Sequence, residues 1–375
     1  MGILLKLKSI SPFRGCEMSS FSNIANFIHE WLNQTFNSTW TTIFEMVIVG
    51  VCVIGLFALL GLILVIMERK VSAWIQIRLG PNRVGPKGML QSLADTLKLL
   101  VKEGMTPSGA DKFLFNLAPY IAMIVAMLLM APLAFAKDFQ MWNLNIGVLY
   151  ITAISSVSVI SVLIAGWSSN NKYSLMGAMR AGAQIVSYEL SAGLSILSVI
   201  VLAGSLNIND IIQSQADGWW IFKGHIPVII AFVIFIIAVT AETNRAPFDL
   251  AEAESELTAG FHTEYSGMKF ALFFLAEYVN VFIVCAIGAT LFLGGWMPFH
   301  IGHWQGFNHV MDFIPSSIWF FGKTFFLIFI IMWFRWTFPR LRIDQLLNLE
   351  WKYLLPISMF NILLITAMAI TGWYF

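Results

Sequence analysis

The sequence predicts an all-α integral membrane protein with about eight transmembrane helices. Its 375 residues are 58% apolar and 11% charged, whereas soluble domains are roughly 45–50% apolar and about 25% charged. Eight apolar runs are long enough, or nearly so, to cross a hydrocarbon core of about 30 Å, which takes about 20 helical residues. The runs are Ile43–Met67, Phe113–Phe135, Ile146–Gly166, Ala183–Ala203, Ile226–Ala241, Lys269–Leu293, Ser316–Phe338 and Leu354–Gly372.

Two parts of unequal size are expected along the chain. Residues 43–375 form the predicted eight-helix membrane domain, and residues 1–42 form an N-terminal extension. Within the extension, apolar residues recur at helical spacing among Asn, Ser and Thr, which predicts an amphipathic helix lying at the membrane surface. These apolar residues are Phe21, Ile24, Ile28, Trp31 and Leu32.

The basic residues predict the orientation of the chain. Positive charge is concentrated in cytoplasmic loops of membrane proteins. The odd-numbered loops hold most of the basic residues between the runs: Arg69, Lys70, Arg78, Arg83, Lys87, Lys98, Lys102, Lys112, Lys172, Arg180, Arg245, Arg340, Arg342 and Lys352. The even-numbered loops hold only Lys137 and Lys223. The odd-numbered loops are therefore predicted to face the cytoplasm or a mitochondrial matrix, with both termini on the opposite side.

The first loop, residues 68–112, combines an irregular segment with an amphipathic helix. The stretch from Arg78 to Pro86 contains Gly and Pro at positions that exclude a regular helix. The following stretch, Gly88–Glu103, places leucines on one face and polar side chains mostly on the other. Such a helix is predicted to lie in the membrane interface, with its apolar side against lipid or a hydrophobic tail. The alternative is an ordinary surface helix.

The fifth loop, residues 242–268, is rich in carboxylates, and we call it the acidic loop. It carries one arginine, Arg245, against six carboxylates: Glu242, Asp249, Glu252, Glu254, Glu256 and Glu264. The spacing of Asp249, Glu252 and Glu256 predicts one helical face after Pro247 starts a first turn. Like charges at that spacing repel, so some of these groups are expected to hold protons near neutral pH. The alternative is a solvated loop, but interspersed apolar residues favour packing.

Two further carboxylates lie within predicted spans. Glu189 is about two turns into the fourth run and Glu277 is about two turns into the sixth. Ionised side chains at such depth cost roughly 2.5–3.5 kcal/mol on insertion scales, and they usually face a bundle interior or an aqueous cavity. Their placement predicts proton handling. The alternative is a neutral acid that makes a helix–helix hydrogen bond.

Redox cofactors are not expected on this chain. Its three cysteines, Cys16, Cys52 and Cys285, are far apart and show no metal-ligand spacing, and no haem, iron–sulfur or zinc motif is present. We therefore expect no metal site and no redox centre here.

Three stretches carry a resemblance to a known family. Residues 68–85 read ERKVSAWIQIRLGPNRVG, residues 241–257 read AETNRAPFDLAEAESEL, and residues 184–189 read QIVSYE. They closely resemble the H subunit of bacterial respiratory complex I, the NADH:quinone oxidoreductase, whose mitochondrial counterpart is subunit 1. The likeness extends from about Ile43 to the C-terminus.

The resemblance implies a membrane subunit at the junction with the peripheral redox arm. Quinone would be the substrate, and flavin and iron–sulfur clusters would lie in partner subunits. By position, Arg78, Arg83, Arg245 and Asp249 would border the quinone chamber. The residues implied in proton coupling are Glu189, Glu242, Glu252, Glu254, Glu256 and Glu277.

The implied partners are quinone, peripheral-arm subunits on the cytoplasmic side, small membrane subunits laterally and the lipid bilayer; no nucleic acid is expected. The implied location is a bacterial inner membrane, or alternatively a mitochondrial inner membrane. Two other functions remain open: a homologous membrane subunit of a hydrogenase or ferredoxin-linked complex, and a proton-coupled solute transporter.

Overall fold

A computed structural model describes residues 38–137, 139–251, 254–300 and 305–373. Over these residues the chain is mostly helical, and eight helices are long and apolar enough to cross a membrane. The prediction of an all-α membrane protein is confirmed. The predicted surface helix among residues 21–32 lies outside the described residues.

The membrane-spanning helices connect through short helices and loops. In chain order the helices are α1 Ser38–Ile75, α2 Gln91–Val101, α3 Lys112–Met130, α4 Gly147–Ser168, α5 Lys172–Ala203, α6 Ile208–Gln213, α7 Trp220–Lys223, α8 His225–Glu242, α9 Glu254–Leu257, α10 Gly267–Phe292, α11 Gln305–Asp312, α12 Ser316–Thr337, α13 Ile343–Leu349 and α14 Leu355–Thr371. A π-helical turn, Glu350–Leu354, joins α13 to α14. Strands β1, Ala134–Ala136, and β2, Phe139–Gln140, form a small antiparallel pair.

Two compact units divide the chain at the middle of α1. The first unit ends at Ile54, and its described part is the N-terminal half of that helix. The second unit, Gly55–Phe375, contains the remaining elements. Its largest apolar core is built around α10, whose residues from Val281 to Phe292 are all buried. A helix buried on all sides in a membrane protein contacts neighbouring helices rather than lipid, so α10 is central to this unit.

The last span begins earlier than the hydropathy of the sequence predicts. The predicted run starts at Leu354, whereas the continuous membrane-spanning helix covers Ile343–Thr371. Glu350 and Lys352, which the sequence assigns to a loop, therefore lie within the helix. The charged residues of this turn interrupt the apolar run, but the backbone continues as a helix because neighbouring helices bury Glu350.

Three charged residues that the sequence assigns to the first loop lie within α1 and make different contacts. Glu68 points into the protein and is 8% exposed. Arg69 makes a 2.5 Å ion pair with Asp95 of α2. Lys70 donates hydrogen bonds to the backbone carbonyls of Pro81 and Lys87, each at 2.6 Å. The amphipathic helix predicted at Gly88–Glu103 is present as α2, and its leucines are exposed.

Gly88 closes the irregular part of the first loop. Its φ of +76° is in the left-handed region, and a Cβ there would overlap the backbone carbonyl of Pro81. Gly88→Ala is therefore expected to distort this loop and to lower the melting temperature of the protein. The measurement is the melting temperature of the purified protein, with Gly104→Ala as the control because no atom lies within 4 Å of that Cβ. Equal melting temperatures for the two variants would contradict the expectation.

The acidic loop does not form the helix that the spacing of its carboxylates predicts. The described residues after Pro247 form turns, and helix resumes only in α9. The helix prediction was wrong because the loop is instead held by apolar anchors and by Gln184. Phe248 and Leu250 are buried as predicted, and Gln184 Nε2 on α5 lies 2.7 Å from the carbonyl oxygens of Ala241 and Phe248.

Candidate functional site: a buried charge cluster

The carboxylate of Glu68 forms ion pairs with two arginines that are distant in sequence. Its carboxylate lies 3.3 Å from Nη1 of Arg245 in the acidic loop, and it forms an ion pair with Nη1 of Arg335 near the end of α12. The Glu68 and Arg245 side chains are about 90% buried, and Arg335 is partly buried. A buried carboxylate needs such partners because an unpaired charge is costly away from water.

Arg245 also contacts α10. Its Nη2 lies 3.4 Å from Oε1 of Glu277, and its guanidinium lies 4.3 Å from the ring centroid of Tyr278. Burial alone would lower the pKa of Arg245, but the carboxylates of Glu277 and Glu68 outweigh it and hold that pKa above its ordinary value. Arg245 is therefore a permanent cation. We call the four residues Glu68, Arg245, Glu277 and Arg335 the charge cluster.

A narrow recess opens beside the charge cluster. Charged and aromatic groups line one part of it, and aliphatic side chains line the rest. Its lining residues are Leu64, Glu68, Arg245, Tyr278, Val281, Ile331, Met332 and Arg335. Since arginines and apolar side chains meet in one recess, its chemistry suits a molecule with a polar head and an apolar body.

Glu189 and Glu242 form a second acidic site on α5 and α8. Ser156 of α4 donates a hydrogen bond to Glu189 Oε1, and Glu189 interacts electrostatically with Glu242. Both carboxyl groups are partly buried. The three helices therefore bring two acidic side chains and a hydroxyl group into one partly buried site.

Glu256 belongs to a third, exposed site. Arg180 of α5 donates a 2.6 Å hydrogen bond to Glu256 Oε2. This hydrogen bond holds the pKa of Glu256 below its ordinary value, and the nearby charges of Arg340 and Arg342 act in the same direction. Glu256 is therefore ionised near neutral pH.

The other predicted site residues are distributed over the two loops. Asp249 is partly buried in the turn after Phe248. Arg78 is exposed and donates to the Gln76 side chain at 2.6 Å, and Arg83 is also exposed. Glu252 lies outside the described residues, and Glu254 is described only as the first residue of α9.

Arg245, the one arginine of the acidic loop, pairs with Glu68 of α1 and Glu277 of α10. Among the described residues, Arg180 pairs with the loop carboxylate Glu256. Sequence reasoning missed Arg335 and the inward position of Glu68. One signal for Arg335 was available, because an arginine near the end of an apolar run is costly to bury and therefore functionally suspect.

The fold and the site define a multi-pass helical membrane protein with buried acids and arginines, and such residues are rare in membrane spans and mark functional sites. The chain matches the family model described as NADH dehydrogenase over residues 46–366. It therefore belongs to this family.

Curated relatives agree with this assignment. The chain is 56% identical over 358 residues to the NADH-quinone oxidoreductase H subunit of Bacteroides thetaiotaomicron, covering 96% of this chain and 100% of the relative. It is 47% identical over 344 residues to the H subunit of Carboxydothermus hydrogenoformans, covering 91% and 94%. It is 48% identical over 336 residues to that of a Geobacillus species, covering 88% and 96%.

Proposed function

We propose that the chain is the membrane subunit of an NADH-quinone oxidoreductase that helps to form the quinone chamber and couples quinone reduction to proton translocation. Quinone reduction takes two electrons and two protons to give the quinol. The electrons would come from flavin and iron–sulfur clusters in partner subunits. This chain would supply charge compensation and titratable groups from the cytoplasmic side of a bacterial inner membrane, with both termini on the periplasmic side.

The charge cluster is the observation that carries this proposal. It joins the start of the first loop, the acidic loop, α10 and the end of α12 at one place. Its two arginines and two glutamates have no net charge when all are ionised. Negative charge that develops on a nearby quinone would attract the arginines, and the carboxylates they leave would then bind protons more strongly.

The glutamate pair on α5 and α8 supplies the next step of the proposed coupling. Glu242 ends α8 only three residues before Arg245. A displacement of Arg245 would therefore alter the field at Glu242 and, through it, at Glu189. Protons would pass between these groups through hydrogen bonds or buried water, as coupled titration of close acids allows.

Labelling with a photoreactive quinone tests the proposed chamber in the assembled oxidoreductase. Because the recess joins arginines to aliphatic side chains, we expect crosslinks to peptides that contain Leu64, Val281 or Met332. Excess unreactive quinone should abolish these crosslinks. Arg335→Met is expected to raise the KM for quinone more than it lowers kcat, since it removes a cation without shortening the apolar wall.

Two results would contradict the proposed chamber. One is crosslinking that excess quinone does not compete. The other is an unchanged KM in Arg335→Met together with labelling confined to other subunits. Lys137→Met is the matched control, because it removes an exposed cation on the opposite predicted side and is expected to leave the KM unchanged.

A further inference from the structure

Glu350 is a buried carboxyl group outside the proposed coupling route. It lies in the π-helical turn before α14 and is 0% exposed. Its Oε2 is 3.0 Å from Ser191 Oγ on α5. Its Oε1 is buried and has no hydrogen-bond partner among the described residues. An ionised carboxylate with one bare oxygen is far more costly in such surroundings than a neutral acid.

Ser191 can accommodate either protonation state of Glu350. Its hydroxyl carries one proton and lies near two acceptors, Glu350 Oε2 at 3.0 Å and the backbone carbonyl of Tyr188 at 3.2 Å. When it donates to the Tyr188 carbonyl, its oxygen accepts an O–H from protonated Glu350. When Glu350 loses that proton, the hydroxyl rotates and donates to the carboxylate. The hydrogen bond therefore persists while its direction reverses.

The other groups around Glu350 offer no compensating cation among the residues that the structure describes. From α5, Tyr188 interacts electrostatically with Glu350, and its own hydroxyl donates to the Leu346 carbonyl of α13 at 3.0 Å. Lys352 and Tyr353, on the same turn as Glu350, are exposed. Asp344 of α13 is also exposed. Ser191 is thus the hydrogen-bonding partner of this acid within the described part of the chain.

Beyond Glu350, both α5 and α14, which pack against each other, carry buried polar residues. On α5 they are Ser191, Ser195 and Ser198, and on α14 they are Ser358 and Asn361. Asn361 Nδ2 donates to the carbonyl of Pro227, in the first turn of α8, at 2.9 Å, whereas its Oδ1 is buried without a partner among the described residues. In the topology predicted from the loop charges, Pro227 lies towards the outer side and Glu350 towards the cytoplasmic side. We call this set of residues the polar seam.

We propose that Glu350 is a second proton-binding site within the membrane, positioned at the cytoplasmic end of the polar seam. A hydronium ion or water from the predicted cytoplasmic side would transfer a proton to a Glu350 oxygen, leaving water or hydroxide. Protonated Glu350 would then release the proton to a water molecule in the polar seam. This site is separate from Glu189. Glu350 contacts Ser191, and Ser191 and Glu189, two residues apart on α5, point to nearly opposite faces of that helix. The assignment rests on the proposed proton translocation, but the protonation state of Glu350 is independent of it.

Infrared difference spectroscopy of the assembled oxidoreductase tests the protonation state directly. We expect a carbonyl band of a protonated carboxylic acid that is absent in Glu350→Gln. Ser191→Ala keeps the acid but removes its partner, so the same band is expected to shift to higher frequency. Asp217→Asn, an exposed carboxylate, is the control and should leave the band in place. Persistence of the band in Glu350→Gln, or an unshifted band in Ser191→Ala, would overturn the assignment.

Proton pumping in proteoliposomes tests the role of the site. Glu350→Gln is expected to keep quinone reduction and to lower the ratio of protons pumped to electrons transferred. If Glu350→Gln pumps normally while Glu189→Gln does not, the second site is refuted and the proposed function stands. If both variants pump normally, proton coupling by this subunit fails, and the infrared band still decides whether Glu350 holds a proton.

Discussion

Arg245→Ala is expected to slow quinone reduction about tenfold or more while leaving most of the complex assembled. Arg245 bridges Glu68 and Glu277, and Glu68 retains Arg335 in the variant, but Glu277 loses its cation. The variant also lacks a cation that would stabilise negative charge developing on the quinone, and losing about 1.4 kcal/mol of that stabilisation slows the reaction tenfold. The measurements are quinone reductase activity and the amount of assembled complex in the same membranes.

Arg245→Lys and Lys137→Ala are the comparisons for this prediction. A lysine restores one positive charge but cannot contact both carboxylates in the same planar geometry, so only part of the activity should return. Lys137 is exposed on the opposite predicted side, and its loss should have no effect. Unaltered quinone kinetics in Arg245→Ala would show that the charge cluster is not part of the chamber.

Glu189→Gln is expected to assemble and reduce quinone, yet pump fewer protons per electron. The glutamine side chain keeps an oxygen that accepts the hydrogen bond from Ser156, so the contact between α4 and α5 is preserved. The substitution removes the titratable group that interacts electrostatically with Glu242. The measurement is the proton-to-electron ratio in proteoliposomes, determined together with the NADH oxidation rate.

The exposed Asp217→Asn variant is again the matched control for loss of one carboxylate. A normal ratio in Glu189→Gln would remove Glu189 from the coupling route. A parallel loss of NADH oxidation and pumping would instead indicate a structural defect, and would contradict the expectation that the glutamine variant assembles correctly.

The spans were predictable from the sequence because crossing a bilayer depends on the length of an apolar run, which is a local property. The pairing of Glu68 with Arg245 and Arg335 was not, because these partners are 177 and 267 residues away in the chain. A pattern read within one segment cannot identify such contacts. The sequence therefore singled out Arg245 but did not identify Glu68 as its partner.

The acidic loop illustrates a different limit. The spacing of Asp249 and Glu256 fits a helix, but helical spacing is only one of several influences on the backbone. Buried Phe248 and Leu250, together with the amide of Gln184, hold the described residues in turns instead. Tertiary contacts overrode the local pattern. Glu350 was missed for a related reason: a charged residue just before an apolar run is assigned to the preceding loop.

The amide of Gln184 has a mechanical consequence. It joins α5 to the carbonyl of Ala241 in α8 and to two groups of the acidic loop, the carbonyl of Phe248 and, at 3.2 Å, the side chain of Asn244. One and two turns further along, the same helix carries Glu189 on one side and Ser191 on the other. Rotation or translation of α5 would strain the hydrogen bonds of this amide and would change the surroundings of Glu189 and Glu350 together. A rearrangement of the acidic loop would therefore reach two separate acids through one rigid helix.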